Sequence, residues 1–151
     1  MAGDGSSLDA SSWEEALIAD LRANGGRASQ GPLKGDPLMV LYTTGAKSGA
    51  RRRSIVTYSQ EGGAYYIAGS YGGNPTQHPN WYHNIVANPN VTIEIGADTF
   101  DAEATDLKGE ERDRAWDRHV EQLPRFGDYP AKVTGRTIPV IRITPKAASA
   151  E

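Results

Sequence analysis

The sequence predicts a mainly β domain with packed helices, an α+β fold of about six strands arranged as a small antiparallel barrel. Three observations predict it. Strand-length apolar runs recur along the chain between Gly-rich turns. Neighbouring runs are joined by hairpin connections, as at Glu61-Gly62-Gly63 and Gly96-Ala97-Asp98. Few helical crossovers separate them, which argues against a doubly wound parallel sheet.

In chain order, residues 1–11 are mostly Gly, Ser, Asp and Ala, which predicts a disordered tail. Ser12 caps a first helix, with Glu15 as its capping-box partner. Trp13, Leu17 and Leu21 form an apolar stripe with Ile18 beside it, and Gly25-Gly26 ends the helix. Glu14, Glu15 and Asp20 stand against a single Arg22, so the basic face of a membrane-surface helix is missing. The helix reads as a lid packed on the core; a flap touching a membrane surface is the alternative. After a Gly/Pro loop, Pro37 to Thr44 is apolar almost throughout and reads as a strand buried on both faces. Arg52 to Gln60 is the second strand. Ala64 to Ser70 is the third, with Tyr65 and Ile67 on one face and Tyr66 and Ala68 on the other.

A loop from Tyr71 to Pro79 precedes a short helix, Asn80 to Ala87, which Asn88-Pro89 closes. Val91 to Ile95 and Thr99 to Asp106 form a hairpin. Gly109 to Gln122 is a charged helix with Ala115, Trp116 and Val120 inward. Residues 123–135 are irregular, Arg136 to Thr144 is the last strand, and 146–151 is a tail. Residues 12–145 therefore read as one domain.

Composition narrows the function. A net charge of −3 over 151 residues argues against general nucleic-acid binding and makes any basic cluster a local feature. The absence of cysteine removes disulfides, thiol nucleophiles and thiolate metal sites. No apolar run approaches the roughly 20 residues of a membrane span. The N-terminus lacks the basic-then-apolar order of a signal peptide, which points to the cytoplasm, with peripheral membrane association left open.

Two stretches carry chemistry. Thr43-Thr44-Gly45-Ala46-Lys47-Ser48-Gly49-Ala50-Arg51-Arg52-Arg53 joins two strands and combines hydroxyls, glycines and four cations. Its glycines let backbone N–H groups turn to one side, and Lys and Arg suit phosphate oxygens. The alternative is an ordinary solvated turn. The second stretch begins Ser70-Tyr71-Gly72-Gly73-Asn74, where glycines permit close backbone approach to a ligand. It continues through His78-Pro79-Asn80-Trp81-Tyr82-His83-Asn84 into the short helix, whose N-terminus faces the same way. Trp81 serves equally well as a core aromatic. His78 and His83 are five apart, which is not the one-face spacing of a helical metal pair, and His119 is remote, so no metal site is expected. Nucleophile-elbow, P-loop and dinucleotide-binding motifs are absent. A protein with these parts would take its chemistry from an organic cofactor.

Several of these residues, in order, carry a resemblance. Thr43 to Gly49 with a following Arg, Ser70-x-Gly-Gly, Asn80-Trp81-Tyr82-x-Asn84, Ala87-Asn88-Pro89 and Arg136-Thr137-Ile138-Pro139 resemble the deazaflavin-dependent nitroreductases of actinobacteria. These are also described as quinone reductases that use reduced coenzyme F420. The match runs from about Leu38 to Pro145. The resemblance implies a split β-barrel of the flavin-reductase type and coenzyme F420 as cofactor. It places Lys47, Ser48, Gly49 and Arg52 on the cofactor's phosphate. Ser70, Tyr71, Gly72 and Gly73, with Ile55, Trp81 and Asn84, would form the wall around the cofactor. Tyr129 becomes a candidate proton donor and Phe126 a substrate wall.

The sequence departs from the family pattern in places. Ala46 stands where many relatives have Arg, a loss that Arg51 or Arg53 would make good. Ile55 stands where many have Pro. Phe126 takes a place held by tyrosine in the nitroreductase, which weakens the case for nitroimidazole reduction. The expected activity is hydride transfer from reduced coenzyme F420 to a quinone, or to an enone or nitroaromatic acceptor, by a monomer or homodimer. An FMN-dependent reductase or oxidase on the same fold, and a non-catalytic carrier of a cofactor or apolar ligand, stand as rivals.

Overall fold

Leu38, Met39, Val40 and Leu41 are all buried, because the strand they form lies inside the sheet with both faces covered. The structure, a computed structural model, describes residues 12–31 and 33–146. The two expected tails fall outside those residues, apart from Lys146, as does the side chain of Ser12. The strands are β1 (Leu38–Thr44), β2 (Arg51–Thr57), β3 (Ser59–Glu61), β4 (Ala64–Ala68), β5 (Asn90–Ile95), β6 (Asp98–Asp106) and β7 (Val140–Pro145). The helices are α1 (Ser12–Ala23), α2 (Asn80–Ala87) and α3 (Gly109–Gln122). Short 3₁₀ helices occupy Tyr71–Gly73 and Pro124–Asp128.

All strand pairings are antiparallel, in the order β2-β1-β5-β6-β7-β4-β3. This order settles the shape. β2 and β3 are the two edges of the sheet, yet only Tyr58 separates them in the chain. Laid flat, seven strands would put those edges about 29 Å apart, at roughly 4.8 Å per neighbour. One residue spans at most about 3.6 Å. The sheet therefore rolls into a barrel whose edges meet at Tyr58 and are not paired with each other, a split barrel. The expected single strand from Arg52 to Gln60 is thus two strands serving opposite edges, which raises the count from six to seven.

The barrel interior holds Met39, Leu41, Ile67, Ile93, Ile141 and Ile143, closed by Trp81 and Ile85 of α2. The alternation expected on β4 holds: Tyr65 and Ile67 join this core, and Tyr66 packs with Ala115 of α3 on the outside. α3 differs in one position. His119, with no exposed surface, joins Ala115 on its inner face, while Val120 is only half-buried. The imidazole is accommodated because Ser59 Oγ lies 2.7 Å from its Nδ1.

α1 is turned relative to expectation. Trp13 is 64% exposed, whereas Glu14, Ile18 and Leu21 are buried. Two ion pairs explain the rotation. Glu14 meets Arg53 at 3.1 Å, with both side chains about nine-tenths buried. At the other end Arg22 grips Glu94 with two nitrogens, one at 3.0 Å from Oε1. Between them Leu21 packs with Leu38, and Leu17 and Ile55 lie against the same cluster. The last strand is shorter than expected. Pro139 has no N–H for the ladder, so β7 starts at Val140 and Arg136 lies in the loop before it.

Candidate active site

Thr44 pairs with Arg51, which closes the β1–β2 hairpin over Gly45–Ala50. Four N–H groups of this loop are already engaged. Gly45 donates to the Ala50 carbonyl at 2.7 Å, and Gly49 donates to the Gly45 carbonyl at 2.9 Å. Ala50 donates to Ser48 Oγ at 3.1 Å, and Ala46 donates to Asn84 Oδ1 at 2.9 Å. The expected nest of outward N–H groups is largely consumed in folding the turn, so side chains are its main offering to an anion. Asn84 is 1% exposed, and its Nδ2 also donates to Thr43 Oγ1 at 3.1 Å. It ties the loop to α2.

The four cations separate. Lys47 is exposed and lines a recess of about 570 Å³ together with Gln77, His78, Asn80 and His83. No acidic side chain lines it. Arg52 is half-buried and donates to Ser48 Oγ at 3.3 Å. Arg51 lies over the Tyr42 ring, 4.7 Å from its centroid. Arg53 is committed to Glu14. Neither Arg51 nor Arg53 is placed to replace a cation at Ala46. Side chains alternate along β2, and Arg52 and Arg53 accordingly meet different partners, Ser48 and Glu14.

A second recess, of about 200 Å³, opens where the barrel is split. Val56 and Thr57 line it from the β2 edge, Ala68, Ser70 and Tyr71 from the end of β4, Trp81 from α2, and Phe126 and Tyr129 from the segment after α3. Ser70, Tyr71, Trp81, Phe126 and Tyr129 are thus brought together from distant parts of the chain. Ile55 is not among them; it faces α1, beside Leu17 and Leu33. Gly72 lies in the short 3₁₀ helix. Gly73, with φ of 86°, is close to protein: a Cβ there would stand 3.1 Å from Lys132 Cδ and 3.5 Å from Tyr129 Cδ1. A side chain there would crowd the Lys132 stem, while Tyr129 stands at ordinary contact distance. Tyr71 has φ of 50° and is 49% exposed. A left-handed backbone at a bulky residue costs on the order of 1–3 kcal/mol and is found mainly at ligand sites.

Sequence reasoning missed what holds this loop. Arg136 donates to the carbonyls of Gly69 at 2.8 Å, Ser70 at 2.9 Å and Asn74 at 3.0 Å. Its Nη1 also lies 3.0 Å from His78 Nδ1. His78 accepts this bond as a neutral ring, and burial, then the Arg136 charge, lower its pKa. Tyr82 donates to Asp106 at 2.6 Å, and burial first, then that bond, push its pKa up to about 12. Nothing in residue spacing marks an arginine whose partners are carbonyls. Val56, Thr57 and Arg125 were also missed as lining residues; only the split geometry brings them to the recess.

The fold and site define a class: a split barrel with a cation-bearing recess and an aromatic-walled recess on either side of the N-terminal turn of α2. Asn80 lines the first, and Trp81 lines the second. The comparisons narrow this class. Residues 15–145 match the family model described as F420H(2)-dependent quinone reductase, and the chain belongs to that family. An F420H(2)-dependent quinone reductase of Mycobacterium tuberculosis is 34% identical over 149 residues, covering 91% of this chain and 99% of the relative. A solved F420-H2 dependent reductase is 41% identical, covers 71% of this chain and 93% of its own, and superposes with a TM-score of 0.64. A structure described as a domain-swapped dimer is 35% identical, with 88% and 99% covered and a TM-score of 0.65. A putative pyridoxamine 5'-phosphate oxidase from Listeria innocua shares the fold at 17% identity, with 89% and 94% covered and a TM-score of 0.51.

The protein is accordingly an oxidoreductase that uses coenzyme F420 and reduces quinones. The residues fit that cofactor: a cation-bearing recess without a lining acid suits an anionic tail, and a recess walled by Trp81, Phe126 and Tyr129 suits a flat ring. Among the described residues no cluster of three or more His, Asp or Glu is arranged to hold a metal ion, and no helix is long and apolar enough to cross a membrane.

Proposed function

We propose that Lys47, Ser48 and Arg52 hold the anionic tail of coenzyme F420, and that the split-barrel recess presents its ring to a quinone. The observation that supports this division is the position of α2, whose first turn separates the two recesses. Bound reduced cofactor supplies the hydride. The chain's residues supply position. Asn84 fixes the loop that carries Lys47 and Ser48. Arg136 fixes the carbonyls behind Ser70. Trp81 and Phe126, both buried, keep water from one side of the acceptor. Tyr129 lies at the same recess, 5.4 Å from Phe126 between ring centroids, as the candidate proton donor. Phe126 brings no hydroxyl to orient a nitro group, so quinones are favoured over nitroimidazoles. Enones are accepted on the same chemical ground. On this reading residues 12–145 act as one cytoplasmic domain. The domain-swapped relative makes a homodimer the assembly to test against a monomer, by light scattering.

Tryptophan fluorescence with oxidised coenzyme F420 and with FMN tests the cofactor assignment, because Trp81 lies in the ring recess. Coenzyme F420 is expected to bind more tightly. Equal or tighter binding of FMN overturns the reading in favour of an ordinary flavin enzyme. Menadione turnover with reduced cofactor separates an enzyme from a carrier.

A further inference from the structure

Among the described residues, Arg125 is the only charged one lining the split-barrel recess. Three segments hold its guanidinium there. Nη1 meets Asp36 Oδ2, just before β1, at 2.7 Å. Nη2 donates to Thr57 Oγ1, at the end of β2, at 3.2 Å. The group also lies over the Phe126 ring, 4.9 Å from its centroid. A guanidinium carries five N–H donors. Two of its nitrogens bond the protein, and its remaining N–H groups have no protein acceptor among the described residues. A permanent cation with spare donors is therefore held at the exposed rim of a cleft that Trp81, Phe126 and Tyr129 wall with aromatic rings.

We infer that Arg125 binds the oxygen of the acceptor and stabilises the negative charge that builds on it during hydride transfer. The inference rests on the proposed use of the recess for quinone reduction. The balance is explicit. A C–H bond of the reduced cofactor breaks, and the hydride forms a new bond to the quinone. The cofactor is oxidised by two electrons and releases its surplus N–H proton to solvent, and the quinone becomes a hydroquinone monoanion. A proton from water or Tyr129 completes the hydroquinone. Charge thus appears on an acceptor oxygen before the proton arrives. A fixed cation does most for a step whose charge develops in the transition state. Lys132 is not an equivalent group, since it lies outside the recess with its ammonium 5.9 Å from the Tyr129 ring. Asp36 tempers the Arg125 charge, so its removal should strengthen the grip on anions. The acceptor class follows: quinones that carry an adjacent oxygen anion or carboxylate should be preferred to neutral ones.

The test uses Arg125→Met, which keeps an apolar stem over Phe126, together with Arg125→Lys and Asp36→Asn. Equilibrium dialysis with hydroxynaphthoate, an anionic bicycle that cannot accept a hydride, reads the site with and without oxidised coenzyme F420. Menadione kinetics read the transition state. Arg125→Met should weaken hydroxynaphthoate binding about tenfold and lower kcat roughly ten- to a hundredfold, with cofactor affinity unchanged. Arg125→Lys should recover much of both losses, and Asp36→Asn should tighten hydroxynaphthoate binding. The inference is overturned if wild-type protein binds no hydroxynaphthoate, if Arg125→Met behaves like wild type, or if the loss falls on cofactor affinity. Thermal melting shows whether each variant is folded. If coenzyme F420 does not bind at all, the proposed function fails; dialysis on cofactor-free protein then still decides the role of Arg125.

Discussion

The hairpin loop and the split-barrel recess are built in opposite ways. The loop is one continuous stretch, stiffened by its own hydrogen bonds and by a distant residue, Asn84. The recess is assembled from the β2 edge, from the end of β4, from α2 and from the segment after α3. A local device can be read from its own residues. An assembled one exists only after the barrel has closed. The loop also shows how far adjacency misleads, for Arg52 and Arg53 are neighbours with unrelated tasks: one stands beside Ser48, and the other anchors α1.

The sharpest way to break this comparison is Arg53→Ala. It leaves Glu14 buried without its partner, and removal of one member of a buried pair costs about 3–5 kcal/mol. Urea denaturation should show that loss, with little change in cofactor affinity at temperatures where the variant is folded. A large loss of cofactor binding with unchanged stability would return Arg53 to the loop.

His119 tests the wall behind the recess. Its ring packs edge-on to Phe126 at 4.5 Å. Burial first, then the nearby Arg125 charge, lowers its pKa from 6.5 to about 4. The unfolded chain therefore binds the additional proton between those values. The stabilisation is fully present above about pH 6.5 and is lost as pH falls toward 4, by roughly 3 kcal/mol. Urea midpoints from pH 7.5 to 4.5 should fall more steeply for the wild type than for His119→Gln. Parallel curves would remove His119 from the acid sensitivity.

Smaller effects belong to the loop itself. Lys47→Ala and Arg52→Ala should each raise the cofactor dissociation constant about tenfold or somewhat more, as expected for a charge-assisted hydrogen bond. The saturated rate should barely move, because the tail contact is equal in ground and transition states. Steady-state kinetics over a cofactor series check both statements, and a fall in kcat alone would contradict them. The smallest effect is expected at Tyr71→Gly. Relief of the left-handed backbone should raise stability by about 1 kcal/mol, while loss of the ring weakens acceptor binding. A destabilised variant would show that the tyrosine side chain more than offsets its strain.

Much of the fold was legible because it is local. Propensity and turn chemistry placed the α2 and α3 boundaries at Asn80–Ala87 and Gly109–Gln122. The break at Tyr58 was not legible, since Ser54 to Gln60 keeps a strand-like pattern across it. The face of α1 was misjudged because a buried glutamate took the position that periodicity assigned to Trp13. At the site, the resemblance brought Ser70, Trp81, Phe126 and Tyr129 to one place. It could not separate Ile55 from Val56, whose faces depend on which edge α1 covers. Arg125 carries no motif, and only the rolled sheet makes it a neighbour of Trp81.

The passage through Tyr58 has a consequence for motion. The two edge strands are held together by one buried residue of chain and by whatever bridges the gap beside it. A flat molecule lodged there touches β2 through Val56 and Thr57 and the end of β4 through Ala68 and Ser70. It acts as a removable cross-brace on an otherwise unlaced barrel. Ligand binding free energy then becomes resistance to opening at that point. The amides of β2 and β3 should exchange with solvent hydrogen more slowly when the recess is filled, while those of β5 and β6, remote from the gap, keep their own pace.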